Sequence, residues 1–183
     1  QSLTNTQISG LNTNSVGALS TVALNALTAK QATAISTDVL SKLTSDNLNV
    51  LNAETLNALT SSQVAKLNTT AISGLSTKLL TSLRNSDLQE LGTDQVAALT
   101  SSQVRSLNVT ALAALKTNQI NALSTNALSN LLTTQIIELT AAQIAAMSTD
   151  TFKALASTGL TALTEKQVTS LSDRKSTRLN SSH

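Results

Sequence analysis

The chain has 183 residues, enough for one domain with a hydrophobic core, and 40% of them are hydrophobic. It contains one Phe, one His and one Met but no Cys, Trp, Tyr or Pro, which excludes disulfides and zinc clusters and removes most side chains used in catalysis. The formal net charge is +2, and no apolar run approaches the ~20 residues that span a bilayer. We therefore expect no membrane insertion, no enzyme activity, and no catalytic residue, cofactor or metal site.

The sequence repeats every eight residues from its beginning. Leu3 begins a row in which every eighth residue is Leu, Ile or Met as far as Leu171, and we call this residue position 1 of each octad. Position 6 is aliphatic or aromatic, position 2 is mostly Thr, Ser or Asn, and position 8 is mostly Ala, Gly or Ser. Tandem units of this kind predict a repeat protein in which each octad stacks on its neighbours.

An uninterrupted α-helix is incompatible with this period. At about 100° per residue, eight residues displace the leucine row by about 80° around the helix, so the helix must break once in each octad. Capping boxes, in which a Thr at position 2 and a Gln at position 5 satisfy each other's backbone N–H groups, mark these breaks. In chain order the predicted boxes are Thr28 with Gln31, Thr60 with Gln63, Thr100 with Gln103, Thr140 with Gln143, and Thr164 with Gln167.

Positions 1 and 6 then form the hydrophobic staple around each cap, and they supply the core. The predicted core residues in the two best-matched octads are Leu59, Val64, Leu67, Leu99, Val104 and Leu107. Helices of this length are unstable alone, so we predict an all-α solenoid of tandem octapeptide repeats, each a short capped helix. The alternative is a β-solenoid, which requires a corner or bulge in every octad because positions 1 and 6 have opposite parity. The pattern leaves open the number of octads per superhelical turn.

Some octads depart from the pattern at polar positions. Position 2 holds a residue that cannot cap at Arg84, Lys116, Leu132 and Ala156, where the next residue is Asn85, Thr117, Thr133 or Ser157. We expect the cap to move by one residue in these octads. Position 8 is charged instead of small at Lys42, Lys66, Glu90 and Glu138.

The octads stop near residue 172, and the sequence "DRKSTRLNSSH" at 173–183 follows. This segment resembles the translation of a common short-read sequencing adapter, which implies a gene read from an environmental shotgun library. We therefore divide the chain into residues 1–172, an octapeptide-repeat solenoid expected to be part of a longer array, and residues 173–183, a non-native tail. The tail holds Asp173, Arg174, Lys175 and Arg178, so 1–172 has no net charge. The scattered charges form no stripe, and we expect no nucleic-acid partner.

Three segments carry a resemblance to a known class of protein: "ALTSSQVAKL" at 58–67, "ALTSSQVRSL" at 98–107 and "LTAAQIAAM" at 139–147. The octad array resembles the Leu/Thr/Gln/Ala-rich short repeats of long bacterial secreted and surface proteins. This resemblance implies a non-enzymatic spacer, stalk or filament-forming segment located outside the cell or at its surface. The partner we expect is another copy of the chain, through end-to-end or lateral stacking.

An alternative function is a ligand-binding solenoid. Rows of Thr and Ser at positions 2 and 3 suggest an ice-binding surface, and the Gln at position 5 suggests a peptide-binding ladder, although helix capping explains both residue types. An enzyme would need a catalytic domain outside this sequence. Asn68-Thr69-Thr70 and Asn108-Val109-Thr110 match the N-glycosylation sequon, so glycans are compatible with the sequence but not indicated by it. His183 lies within the segment that resembles the adapter.

Overall fold

A computed structural model describes residues 4–16 and 19–171, and these residues form short helices joined by tight corners. The described residues contain no β-strand, so the predicted all-α solenoid of octapeptide repeats is confirmed. The predicted tail at 173–183 lies outside the described residues. The α-helices are α1 Asn5–Ser9, α2 Thr13–Val16, α3 Thr21–Asn25, α4 Ala29–Thr33, α5 Thr37–Leu40, α6 Ser45–Asn49, α7 Ala53–Asn57, α8 Ser61–Val64, α9 Thr69–Ser73, α10 Thr77–Leu80, α11 Asn85–Glu90, α12 Thr93–Ala97, α13 Ser101–Ser106, α14 Val109–Ala114, α15 Thr117–Ala122, α16 Thr125–Ser129, α17 Thr133–Glu138, α18 Ala141–Ala146 and α19 Thr149–Gly159, followed by a 3₁₀-helix at Leu160–Ala162.

Each corner is made by two consecutive extended residues, at positions 1 and 2 of the octad. After α13, for example, Leu107 has φ −61° and ψ 136°, and Asn108 has φ −69° and ψ 160°. No described residue has a positive φ, glycine included, so the corners need no glycine turn. The extended leucine ends one helix and the polar residue after it begins the next, which explains why the octad positions are so regular.

The chain divides into two compact units, Gln1–Ala98 and Leu99–His183. Within each unit a helix packs against the third helix further along the chain. In the first unit α4 packs on α7, α5 on α8 and α6 on α9, and in the second α13 packs on α16, α14 on α17 and α15 on α18. One coil of the solenoid therefore contains three octads, a number that the sequence pattern left open.

The core of each unit is formed by positions 1 and 6, which face the inside of the coil. In the first unit the exposed fractions of Leu59, Val64 and Leu67 are 1%, 0% and 3%. In the second unit Leu99, Val104 and Leu107 are equally inaccessible. Each such side chain contributes about 1.5–3 kcal/mol when it is fully buried, so stacking stabilises helices that are too short to form alone.

Position 8 has two environments, which explains its mixed composition. At Gly74 an added Cβ would lie 2.4 Å from the Cβ of Ser45, one coil earlier, so only glycine fits without movement. Lys42, Lys66 and Glu90 lie instead on a single corner of the first unit, because they are three octads apart, and all three are exposed. At this corner the long charged side chains extend into solvent, whereas at Gly74 the neighbouring coil leaves no room for a Cβ.

One predicted corner is absent. We expected a cap near Ala156, but α19 continues from Thr149 to Gly159 through this residue. Ala156 has no side-chain acceptor for an N-cap bond and alanine has the highest helix propensity, while the octad has Gly159 in place of the position-5 Gln. Without either capping residue the helix is not interrupted.

Candidate functional site: the hydrogen bonds between coils

The capping boxes are present with both of their hydrogen bonds. At the start of α8, the Thr60 N–H donates to Gln63 Oε1 (2.8 Å) and the Gln63 N–H donates to Thr60 Oγ1 (3.2 Å). Each pair satisfies backbone N–H groups that a helix terminus otherwise leaves without a partner. The same reciprocal bonds occur in Thr28 with Gln31, Thr100 with Gln103, Thr140 with Gln143, and Thr164 with Gln167.

Gln63 also makes hydrogen bonds to the preceding coil. Its side chain is 4% exposed, and Nε2 donates to the carbonyl oxygens of Ala32 (3.1 Å) and Ile35 (2.7 Å). These carbonyls lie at positions 6 and 1, at the C-terminal end of a helix, where the regular intrahelical hydrogen bonds end. One amide therefore satisfies the N-terminus of its own helix and the C-terminus of a helix in the coil before it.

The arrangement is repeated in both units. We use the term corner bond for a hydrogen bond from a side chain of one coil to the position-1 carbonyl of the preceding coil. Glutamine side chains make it, together with a bond to the position-6 carbonyl, at Gln95 to Leu67 (2.6 Å) and Val64 (3.1 Å), Gln135 to Leu107 (2.9 Å) and Val104 (3.1 Å), Gln143 to Leu115 (2.7 Å) and Leu112 (3.1 Å), and Gln167 to Leu139 (2.7 Å) and Ile136 (2.8 Å).

Some octads without the glutamine make the corner bond with another side chain. In α7 the position-5 residue is Thr55, whose Oγ1 donates to the Leu27 carbonyl (2.8 Å). In α9 position 5 is Ala71, and the donor is instead the N-cap residue Asn68, whose Nδ2 donates to the Leu43 carbonyl (2.8 Å). In both octads the same acceptor position receives a donor, as expected for a buried carbonyl at the end of a helix.

The octad of α11 uses an ion pair for this purpose. Asp87 replaces the glutamine, has no exposed surface, and accepts from Arg84 Nε (2.7 Å) and Nη2 (3.0 Å) and from Ser61 Oγ (3.2 Å). A carboxylate cannot donate, and the corner bond to the Leu59 carbonyl is made by Arg84 Nη2 (3.1 Å). Asp87 hydrogen-bonds and electrostatically attracts the half-exposed Arg84, and this raises the pKa of Arg84. The two substitutions replace one glutamine as a unit.

Asparagine at position 7 links coils in the opposite direction. Asn49 Nδ2 donates to the Gly74 carbonyl (2.8 Å), and its Oδ1 accepts from the Ser76 N–H (2.7 Å) in the following coil. In the second unit Asn121 makes the equivalent pair of bonds, to the Ala146 carbonyl and from the Ser148 N–H. Amide side chains therefore use both their donor and their acceptor across the coil boundary.

The prediction that the cap moves by one residue is wrong at three further octads. The N-cap residues remain Arg84, Lys116 and Leu132, and none of them makes a side-chain cap bond. In two of these octads the glutamine makes one of the two hydrogen bonds of a capping box. Gln119 Oε1 accepts the Lys116 N–H (2.8 Å), and Gln135 Oε1 accepts the Leu132 N–H (2.9 Å). The glutamine holds the corner in place without a hydroxyl partner.

The described residues include no group of three or more His, Cys, Asp or Glu side chains that are placed to hold a metal ion. Within 4–16 and 19–171, every helix is too short or too polar to cross a bilayer. Of the two sequons, Asn68 uses its Nδ2 in bonds to the Ser41 and Leu43 carbonyls, and a glycan on that nitrogen would disrupt them. His183 lies outside the described residues.

No protein family model matches the chain, and no curated protein or solved structure shows significant similarity to it. The site is therefore defined by its own geometry. Sequence reasoning assigned the position-5 glutamines to capping and did not anticipate their bonds to the preceding coil. The sequence did contain a signal, because glutamine is retained at position 5 after Gly92, Lys116 and Leu132, none of which can form a full capping box.

Proposed function

We propose that the chain is a non-enzymatic structural repeat, a self-associating spacer, stalk or filament-forming segment located outside the cell or at its surface. The observation that supports this most directly is the corner bond, which joins successive coils within each unit by the same geometry. Buried polar side chains such as Gln63, Gln95 and Gln143 make hydrogen bonds that join one coil to the next. The proposed role as a spacer, stalk or filament depends on the length and regularity of the array.

The corner bonds also make the coil a modular unit. Glutamine side chains of one coil donate to the coil before it, and its own carbonyl groups accept from the coil after it, so adding or removing a whole coil preserves the kind of contact at each boundary. In solenoids of this kind, stability is approximately a sum of terms for each repeat and for each interface between neighbours. A segment with this property can vary in length without a change of fold.

A deletion series tests the modular role. Deleting residues 35–58 removes three octads, which make one coil. Each later octad then still stacks on an octad from the same corner of the coil. We expect this variant to fold, with a urea m-value and a free energy of unfolding that fall by about one coil's share. The control deletion, residues 35–54, breaks the octad phase and is expected to lose cooperative unfolding. If both deletions unfold the chain equally, the modular role is refuted.

Location and self-association need separate measurements. The extracellular location is supported by the resemblance of the octads to repeats of secreted and surface proteins, and long-read sequencing across residue 171 and upstream of Gln1 tests it. An export signal or anchor in the same reading frame supports the proposal, and an adjoining catalytic domain without either contradicts it. Sedimentation equilibrium over a concentration series tests self-association, and a chain that stays monomeric throughout contradicts that part.

No specific observation favours the alternative of an ice-binding or peptide-binding surface. The Thr28, Thr60 and Thr140 hydroxyls already accept backbone N–H groups as helix caps. Neighbouring coils are packed helices, whose axes lie about 8–10 Å apart, about twice the strand spacing of a β-solenoid. Hydroxyl rows in successive coils are correspondingly sparse.

A further inference from the structure

We infer that Asn108 is the attachment site of an N-linked glycan. Its motif is Asn108-Val109-Thr110, at the start of α14, and a further match at 180–182 lies outside the described residues. The inference rests on the location outside the cell that is proposed above, because this motif is used in secreted proteins. The glycan would be joined to the side-chain amide nitrogen, so the surroundings of that atom decide whether the fold accommodates it.

The amide nitrogen of Asn108 is accessible. The residue is exposed, and among residues 4–16 and 19–171 no group accepts a hydrogen bond from its Nδ2. Its Oδ1 accepts the Ala111 N–H (2.8 Å) and thereby caps α14. Glycosylation replaces one hydrogen of Nδ2 and keeps Oδ1, so a glycan leaves the cap bond in place.

The hydroxyl of the motif lies beside the same amide. Thr110 Oγ1 donates to Asn108 Oδ1 (2.6 Å), and Thr110 is exposed as well. The nitrogen that would receive the sugar and the hydroxyl that completes the motif are therefore adjacent on one accessible corner of the coil.

The sequon at Asn68 provides the comparison within the same chain. Asn68 also caps its helix through Oδ1, but it is half-buried, and its Nδ2 donates to the Ser41 (3.0 Å) and Leu43 (2.8 Å) carbonyls of the preceding coil. A sugar on this nitrogen would displace at least one of the two acceptors and leave a carbonyl without its donor. Two copies of the same motif therefore differ in whether the nitrogen is needed by the fold.

The reaction is a transfer of a sugar from a lipid-linked donor that is activated by a diphosphate. A bond forms between Asn108 Nδ2 and C1 of the sugar, and the bond between C1 and the diphosphate oxygen breaks. The proton lost from Nδ2 passes to a base of the transferase, the lipid diphosphate leaves as an anion, and no group is oxidised or reduced. The chain supplies only the amide and the neighbouring hydroxyl.

Secretory expression in yeast tests the site. A supplied signal peptide exports the full chain past the oligosaccharyltransferase of the host, and Asn180→Gln removes the match at 180–182. We expect site-specific mass spectrometry of the folded, secreted chain to find the glycan at Asn108 at least about tenfold more often than at Asn68, a factor that corresponds to the loss of one inter-coil hydrogen bond. Thr110→Val is expected to abolish the glycan at Asn108, and Thr110→Ser to retain it.

Urea denaturation tests whether the fold tolerates each glycan. The matched variants are Thr70→Val, which leaves the sequon at Asn108, and Thr110→Val, which leaves the one at Asn68; both keep the asparagines. Each glycosylated form is compared with the same chain made in a host without the transferase. We expect an unchanged urea midpoint for the glycan at Asn108 and a lowered midpoint for the glycan at Asn68.

Three results would overturn the inference: no glycan at Asn108, a lowered urea midpoint when Asn108 carries one, or equal occupancy of Asn68 in the folded chain. Because the signal peptide is supplied, these results do not bear on the proposed location. A natural locus without an export signal or anchor overturns the location, and this inference with it.

Discussion

Replacing Gln63 with alanine measures what one inter-coil glutamine contributes. The substitution removes the acceptor of the Thr60 N–H and the donor to the Ala32 and Ile35 carbonyls. Leaving a buried polar group without a partner costs about 1–3 kcal/mol. Gln63 is only 4% exposed, so water replaces the lost hydrogen bonds only in part. We expect Gln63→Ala to lower the free energy of unfolding by about 3–5 kcal/mol.

Gln7→Ala is the matched control, because Gln7 makes the same capping bond to Thr4 but, among residues 4–16 and 19–171, no bond to another coil. Its expected cost is about 0.5–1 kcal/mol, the typical effect of losing a cap interaction. The measurement is urea denaturation followed by circular dichroism at 222 nm, with the two variants compared at equal protein concentration. If Gln63→Ala costs no more than Gln7→Ala, the inter-coil bonds do not stabilise the fold and the reasoning fails.

Gln63→Glu adds a test by pH. Its carboxylate retains the acceptor for the Thr60 N–H, but it places a buried negative charge beside the Ala32 and Ile35 carbonyls, which favours the protonated form and raises the pKa of the introduced group. Stability is therefore expected to be greatest below the unfolded pKa of about 4.3 and to fall as pH rises through the raised folded pKa. The comparison of urea midpoints at about pH 4 and about pH 7 with those of the parent chain detects this. A variant that becomes more stable with rising pH, relative to the parent, would contradict the geometry.

Three further substitutions test other parts of the coil boundary by the same denaturation assay. Asn68→Asp keeps its cap acceptor but loses its two inter-coil donor bonds, and it should cost about 2–4 kcal/mol. Asn52→Asp is the control, because within the part of the chain that the structure describes the Asn52 amide nitrogen makes no such bond, and it should change stability by less than about 0.5 kcal/mol. Equal effects would refute the assignment. Arg84→Thr alone leaves Asp87 buried without its cation and should cost about 2–4 kcal/mol, while the double variant Arg84→Thr/Asp87→Gln should recover most of that loss by restoring the common pair; no recovery would show that the two residues do not act as a unit. Gly74→Ala forces its neighbour in the preceding coil to move and should cost about 1–3 kcal/mol, and a neutral effect would indicate that the coils are not tightly packed there.

Local interactions explain what the sequence by itself determined. The period, the helix breaks and the capping boxes depend on bonds between residues three apart, such as Thr60 and Gln63, and on the conformations of two corner residues. The core residues could also be predicted from the sequence, because a strict row of leucines has to be buried wherever the helices stack. Where the local signal was ambiguous, as at Arg84 and Leu132, the predicted shift of the cap was wrong, since the glutamine or its replacement maintained the corner.

The tertiary structure alone decided how many octads make a coil and which residues meet across its boundary. The number depends on the angle at every corner, which is set by the packing of whole helices and not by any single residue. Once three octads close a coil, Gln63 lies beside the Ile35 carbonyl, although 28 residues separate them in the chain. Its second role follows from that placement, because carbonyl groups at the end of a helix in one coil are buried beside a side-chain donor of the next coil.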